Sequence, residues 1–276
     1  MDWKKGLRFF LRNRMLLLLF FGGGGSCGCV GQTYTFLGRI ETKAQYFTTD
    51  ALRNVYVVTD ENILVKYDGD GNEVFRYVGK INGKLGSVDA SSPFNILLYY
   101  PDFQTLVTLD RSLNETGVYD LYDFEAAQPA AVALSEDNSV WMYDMGVAQL
   151  KKFVRETNFW KATDHYGAQF PQSRPNRIVA RAGAVYLNVP SFGLYVFDQF
   201  GHLEKTLELK DVSDFQIFDD LIVYQQAGEY FAFNQQTLTS SKIALPEGIG
   251  HISSIRVEKG RLFVQRNGAI EIFSAK

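Results

Sequence analysis

A repeat of about 40 residues runs through most of this chain and constrains its fold more than any other feature, because units of that period built from four short strands pack radially into a propeller. One unit reads NVYVVTDENILVKYDGDGNEVFRYV from Asn54 to Val78. Its parts recur in NILLYYPDFQTLVTLDRSLNETGVY from Asn95, SVWMYDMGVAQLKKFVRETNFWKAT from Ser139, AVYLNVPSFGLYVFDQFGHLEKTLEL from Ala184, DLIVYQQAGEYFAFNQQTLTSSKIAL from Asp220 and RLFVQRNGAIEIFSAK from Arg261. The apolar residue heading the second strand marks each copy: Val55, Ile96, Val140, Val185, Leu221 and Leu262, spaced 41, 44, 45, 36 and 41 residues apart. Six units follow.

Inside each unit, β-branched and aromatic residues form short runs broken by Gly, Asn or Asp, the pattern of antiparallel strands joined by hairpins. No long stretch keeps a helical period, so the fold class is all-β. The third strand ends in Tyr67-Asp68, Leu109-Asp110, Phe197-Asp198 or Phe233-Asn234, and an Asx side chain there can bond its own backbone and start the next hairpin. The sixth unit, as written, stops after its third strand. The segment TYTFLGRI, residues 33–40, alternates like a strand ahead of the first full unit. It is expected to supply the missing outermost strand, closing a six-bladed β-propeller over residues 32–276 and removing an exposed edge.

On these residues the body resembles the six-bladed propellers of the NHL and YncE-like kind, and the string DNSVWMYDMGVAQLKKF from Asp137 to Phe153 is similar to a repeat signature of that superfamily. The likeness is specific for fold and weak for function, since such propellers host adhesion modules, lactonases, lyases and scaffolds. An exported chain of this size also resembles the propeller lipoproteins common in Bacteroidota.

The first 31 residues read as an address. Lys4, Lys5, Arg8, Arg12 and Arg14 precede the apolar run Met15–Phe21, and small residues follow, which is the order of a bacterial export signal. The run is far too short to span a bilayer. Both cysteines, Cys27 and Cys29, lie just after it, and either resembles the acylated residue of a lipobox, although Gly24 or Ser26 stands where Leu or Val is usual. Ordinary cleavage after Gly31 would instead free a soluble, cysteine-free protein starting at Gln32. Either route delivers the body to the periplasm or, through a lipid anchor, to the outer membrane.

Net charge is −3 overall. Without the basic leader it becomes 23 minus 30, or −7, a poor match to a phosphate backbone, and no nucleic-acid partner is expected. No catalytic, cofactor or metal motif survives inspection. GGSCG at Gly24–Gly28 lies in the export signal, and DGDGNE at Asp68–Glu73 has Glu73 and Gly79 where a calcium loop needs Gly and Glu. His165, His202 and His251 fall in different parts of the repeat array with no pairing. The lactonase resemblance would put a divalent metal in the central channel, with Asp89, Glu136 and Asp214 as candidate ligands. That metal-dependent hydrolase or lyase, and carbohydrate binding through exposed aromatics, stand as alternatives.

The favoured reading places a protein or peptide partner of the cell envelope on the loops between second and third strands. These loops gather on one face of the fold, and rigid strands presenting loops make a common binding surface. Tyr100, Asp102, Phe103, Tyr143, Asp144, Met145 and Phe192 fall in or beside them and are the candidate binding residues, with Asp60 at the position matching Asp102 and Asp144.

Overall fold

The computed structural model describes residues 33–79, 83–124, 129–154, 157, 159–165 and 174–275. The expected export segment, with Cys27 and Cys29, and the alternative start at Gln32 lie outside the described residues. Among the described residues twenty-four strands form six four-stranded antiparallel sheets, each a blade; in five of them the strands run in sequence from the centre outward, and the sixth takes its outer strand from the front of the chain.

Blade 1 contains β2 (Ala44–Thr49), β3 (Val55–Thr59), β4 (Ile63–Tyr67) and β5 (Glu73–Val78). Blade 2 contains β6 (Ser87–Ser92), β7 (Asn95–Tyr100), β8 (Thr105–Asp110) and β9 (Glu115–Asp120). Blade 3 follows with β10 (Pro129–Leu134), β11 (Val140–Asp144), β12 (Gln149–Val154) and β13 (Phe159–His165). Blade 4 has β14 (Arg177–Arg181), β15 (Ala184–Val189), β16 (Gly193–Asp198) and β17 (Leu203–Leu207). Blade 5 has β18 (Val212–Phe218), β19 (Leu221–Gln226), β20 (Glu229–Asn234) and β21 (Thr239–Lys242). Blade 6 combines β22 (Ser254–Glu258), β23 (Arg261–Arg266) and β24 (Ala269–Ala275) with β1 (Tyr34–Glu41) as its outer strand. The closing strand expected at residues 33–40 is thus present. It pairs from Tyr34 opposite Ala275 to Glu41 opposite Ala269, with a bulge between Phe36 and Gly38.

Each blade presses both faces on its neighbours, which is why the middle strands carry unbroken apolar runs. All five residues of β11 are buried, as are the first four of β3 and the last five of β7. Outer strands meet solvent, and four of the five residues of β17 are exposed. Six apolar clusters sit at the six blade interfaces, so the core is a ring of seams. The inner strands β2, β6, β10, β14, β18 and β22 touch in that order and close back on β2, enclosing the channel.

The turns behave as the Asx residues dictate. Asp68 Oδ1 accepts the backbone N–H groups of Asp70 and Asn72, Asp110 those of Ser112 and Asn114, and Asp198 those of Phe200 and His202. Asn234 does the same for Gln236 and Thr237. DGDGNE is therefore a hairpin turn whose first carboxylate is spent on its own backbone.

Candidate functional site

Two regions follow from this architecture: the channel, and the face that carries the loops between second and third strands. The channel cavity measures about 1400 Å³ and is lined by all six inner strands. Its side chains meet in two layers, which follow from the register of the inner strands. Residues near the start of each strand form the layer toward the loop face, and residues near the end form the layer at the opposite mouth.

In the first layer Arg177 of β14 and Arg256 of β22 both grip Asp214 of β18. Arg177 Nη1 lies 2.9 Å from Oδ1 and Arg256 Nη1 lies 2.6 Å from Oδ2. Burial would raise the Asp214 pKa, but the two guanidiniums outweigh it and hold the carboxyl below its ordinary range. Arg256 also donates to the carbonyl of Ile255 at 2.8 Å and lies over the Phe47 ring, 5.9 Å from its centroid. Arg177 stands over Phe215 at the same distance. Tyr46 of β2 completes the layer, its phenol pushed well up by burial. Asp89 of β6 lines the cavity as well, yet its two oxygens accept the N–H groups of Ser91 at 2.8 Å and Leu134 at 2.7 Å.

In the second layer Glu258, the last residue of β22, accepts hydrogen bonds from Thr49 Oγ1 at 2.7 Å and Gln216 Nε2 at 3.2 Å, so it ties blade 6 to blades 1 and 5. Burial pushes its pKa up to about 7, with the neighbouring Asp50 adding to the rise against the hydrogen bonds that oppose it. The channel's charge is therefore segregated along its axis. Arg174, Arg177 and Arg256 outnumber Asp89 and Asp214 on the loop-face side, whereas Asp50, Asp219 and Asp220 outnumber Arg181 and Lys259 at the other mouth.

Of the three metal-ligand candidates, Asp89 and Asp214 do face the channel, committed to backbone and arginine respectively. Glu136 is exposed outside it and accepts the N–H of Ala182 in the adjacent blade at 2.9 Å. Among the described residues no three His, Cys, Asp or Glu side chains converge to hold a metal ion. His202 sits in an exposed turn with its ring 2.9 Å from Asp198, His251 is exposed, and His165 ends the outer strand β13.

The loop-face candidates divide. Tyr100 ends β7, Tyr143 is the penultimate residue of β11, and both are sealed into the blade seams, each about 1% exposed. Asp144 is fully buried, paired with Lys151 Nζ at 2.7 Å and accepting the N–H of Gly146. Met145 and Phe192 are half-buried against the seam between blades 3 and 4. Asp60, Asp102 and Phe103 remain in the open. Asp102 accepts the N–H of Lys84 at 3.2 Å, and the half-exposed Phe103 ring lies against Gly83, where an added Cβ would come 2.6 Å from it.

Sequence reasoning passed over Tyr122, 62% exposed, on the connection from blade 2 to blade 3. The N–H of Leu121 donates to Gln104 O at 2.9 Å, which brings Tyr122 beside the Phe103 loop. Val147, in the loop between β11 and β12, is exposed on the same face of the neighbouring blade. Arg177 and Arg256 were missed too. The available signal was an arginine between apolar residues inside an inner strand, as in SIRVE for Arg256, whereas Arg177 only heads the apolar run of RIVAR.

No protein-family model matches the sequence, and no curated protein matches it. By structure the chain is similar to the WD40 domain of Neurospora crassa Pan2, with a TM-score of 0.62 and 9% identity over 87% of this chain and 95% of that one. It is similar to catalytically inactive virginiamycin B lyase from Staphylococcus aureus with quinupristin, with a TM-score of 0.56 and 10% identity over 88% and 99% of the two chains. YCF48 bound to D1 peptide gives a TM-score of 0.52 at 9% identity over 81% of this chain and 75% of that one. At such identities the likeness establishes the propeller fold alone.

Proposed function

We propose that this chain is a non-catalytic binding or scaffold module of the bacterial cell envelope, an exported propeller lipoprotein of the NHL and YncE-like kind that engages a protein or peptide partner on its loop face. One observation carries the reading: Phe103, Tyr122 and Val147, at 49%, 62% and 40% exposure, are large apolar side chains on connections of blades 2 and 3 that open on one face. Large apolar side chains held out by a rigid scaffold are the kind of surface that protein interfaces bury. A similar propeller, YCF48, is described with a bound peptide, which supports peptide recognition as a use of the fold. The commitment of the channel carboxylates to arginine and backbone partners favours binding over metal-dependent chemistry.

The test is capture from the organism's own envelope extract by the body beginning at Gln32, compared with a Phe103→Ala, Tyr122→Ala double variant. Both side chains are half-exposed or more, so the variant is expected to melt like the parent while its capture of a reproducible partner drops. Equal capture by both proteins, or no reproducible partner, refutes the reading. The anchor is tested separately by palmitate labelling of the full chain against Cys27→Ala and Cys29→Ala, and the lipoprotein reading requires that one of them abolish the label.

A further inference from the structure

We propose that the Arg177–Arg256 pair in the channel is a carboxylate-binding subsite, open toward the loop face, which takes the acidic end or an acidic side chain of a peptide. The inference rests on the partner reading above and names the group of the partner that enters the channel.

Arg177 and Arg256 come from two blades and share a single carboxylate. Asp214 gives one oxygen to each guanidinium, and Oδ1 also accepts the N–H of Phe215 at 2.9 Å. Asp89 also acts on Arg177, but with Arg174 on the same side three guanidiniums face two carboxylates, and both oxygens of Asp89 are already engaged by backbone N–H groups. Two polar atoms in this layer are buried without a hydrogen-bond partner: Arg177 Nε and Arg256 Nε. Arg256 itself is only 6% exposed, so solvent does little to meet its demand. Buried donors without acceptors are costly, and a pair of them amid excess positive charge is matched by an acceptor carrying negative charge.

The form of the site narrows the ligand. A guanidinium presents a planar fork of donors that fits a carboxylate with two parallel bonds. Phe215 and Phe47 lie against the two guanidiniums, and Tyr99, Val88 and Ile178 line the same cavity, so the carboxylate would arrive on an apolar or peptidic body. A cavity of about 1400 Å³ exceeds what a drug-sized ligand needs and leaves room for a peptide segment. Charge segregation sets the direction of entry. An anion is drawn in from the loop face and repelled at the opposite mouth, where Asp50, Asp219 and Asp220 stand.

The unpaired Nε groups offer a direct readout, because the Nε–H resonances of Arg177 and Arg256 report what sits against them. The ¹⁵N-labelled body is titrated with acetyl-Gly-Phe-Gly bearing a free carboxylate, with the same peptide amidated, with amidated acetyl-Gly-Glu-Gly, and with inorganic phosphate. Saturable shifts of these two resonances with the free-acid peptide support a chain-terminal source. Shifts with the Glu peptide support a side-chain source, and in both cases the amidated Phe peptide leaves them unmoved. Arg177→Gln is expected to weaken binding about tenfold or more, the usual scale for losing a charge-assisted pair. Arg177→Lys, which keeps the charge and loses the fork, is expected to recover only part of it. Resonances unmoved by both carboxylate peptides, an equal response to the amidated Phe peptide, or a phosphate response as strong as the carboxylate one overturns the subsite. Partner capture on the loop face can persist in each of those cases, so the two proposals fail separately.

Discussion

Glu258 shows how one buried carboxyl makes the whole ring sensitive to pH. Its folded pKa, about 7, lies above the ordinary value of 4.5 because burial disfavours the ionised form. Between those values the folded state keeps a proton that the unfolded state releases. The group's contribution to stability is therefore intact below about pH 4.5 and is lost as pH rises through 7. Each pKa unit corresponds to about 1.4 kcal/mol, which bounds the loss at roughly 3 kcal/mol. Glu258→Gln keeps an acceptor for Thr49 and Gln216 and never ionises. Its Tm is expected to match the parent at pH 5 and to exceed it by several degrees at pH 8. A difference that does not change with pH would show that the Glu258 proton is not what the parent loses. Asp144 is the opposite case, a carboxylate sealed from solvent and paired with Lys151. Asp144→Asn is expected to cost about 2–4 kcal/mol in chemical denaturation, the scale of breaking a buried ion pair. Partner affinity per folded molecule should stay as it was. The sequence placed Asp144, Tyr100 and Tyr143 near loop tips because each lies at or next to the end of a strand. What it does not carry is that the next blade covers those strand ends, and that is a property of packing between repeats.

Among elements, β1 has the largest consequence for its length. Its pairing with β24 gives the last blade a fourth strand, and Ile40, 3% exposed, enters the seam between blades 6 and 1 beside Phe47, Val55 and Phe263. Tyr34 and Phe36 meet Phe273 edge to face, with centroids 6.4 and 5.7 Å apart. Ile40→Ala is expected to cost about 2–4 kcal/mol through lost burial and the cavity left behind. Deleting residues 33–40 should lower Tm further and produce oligomers on gel filtration, since the unpaired edge of β24 would template other chains. An unchanged Tm with a single monomer peak would mean the ring does not depend on this closure. Elements of this kind were readable in advance because their determinants are local. The six apolar anchors fall on the first or second residue of β3, β7, β11, β15, β19 and β23, and the Asx turns form where the sequence puts Asp or Asn. The exposed apolar residues of the loop face were half legible: Phe103 is visible in YPDFQ, whereas the segment carrying Tyr122 is tied to that loop only through the hydrogen bond from Leu121 to Gln104.

At the scale of the molecule, the ring distributes stability over six seams of similar construction, and no blade has a core of its own. The same geometry hid the channel site from the sequence. Arg177, Asp214, Arg256 and Tyr46 come from four blades, separated by tens of residues, and meet only after the inner strands close. A repeat array that stays linear can fray from its ends, because each unit contacts only its neighbours. Closing the ring removes the ends, so losing one blade exposes two seams at once and the molecule should unfold as a unit. Phe153, between blades 2 and 3, and Phe215, between blades 4 and 5, are both about 1% exposed or less and lie in separate seams. Phe153→Ala and Phe215→Ala are each expected to cost about 3–5 kcal/mol, and their effects should add because they share no partner. Calorimetry should show one transition in the parent and in both variants, with van't Hoff and calorimetric enthalpies in agreement. In the protein lacking residues 33–40 the van't Hoff value should fall below the calorimetric one as the end blades melt early. Separate transitions in the intact ring, one following each substituted seam, would show that the blades are energetically independent despite their closure.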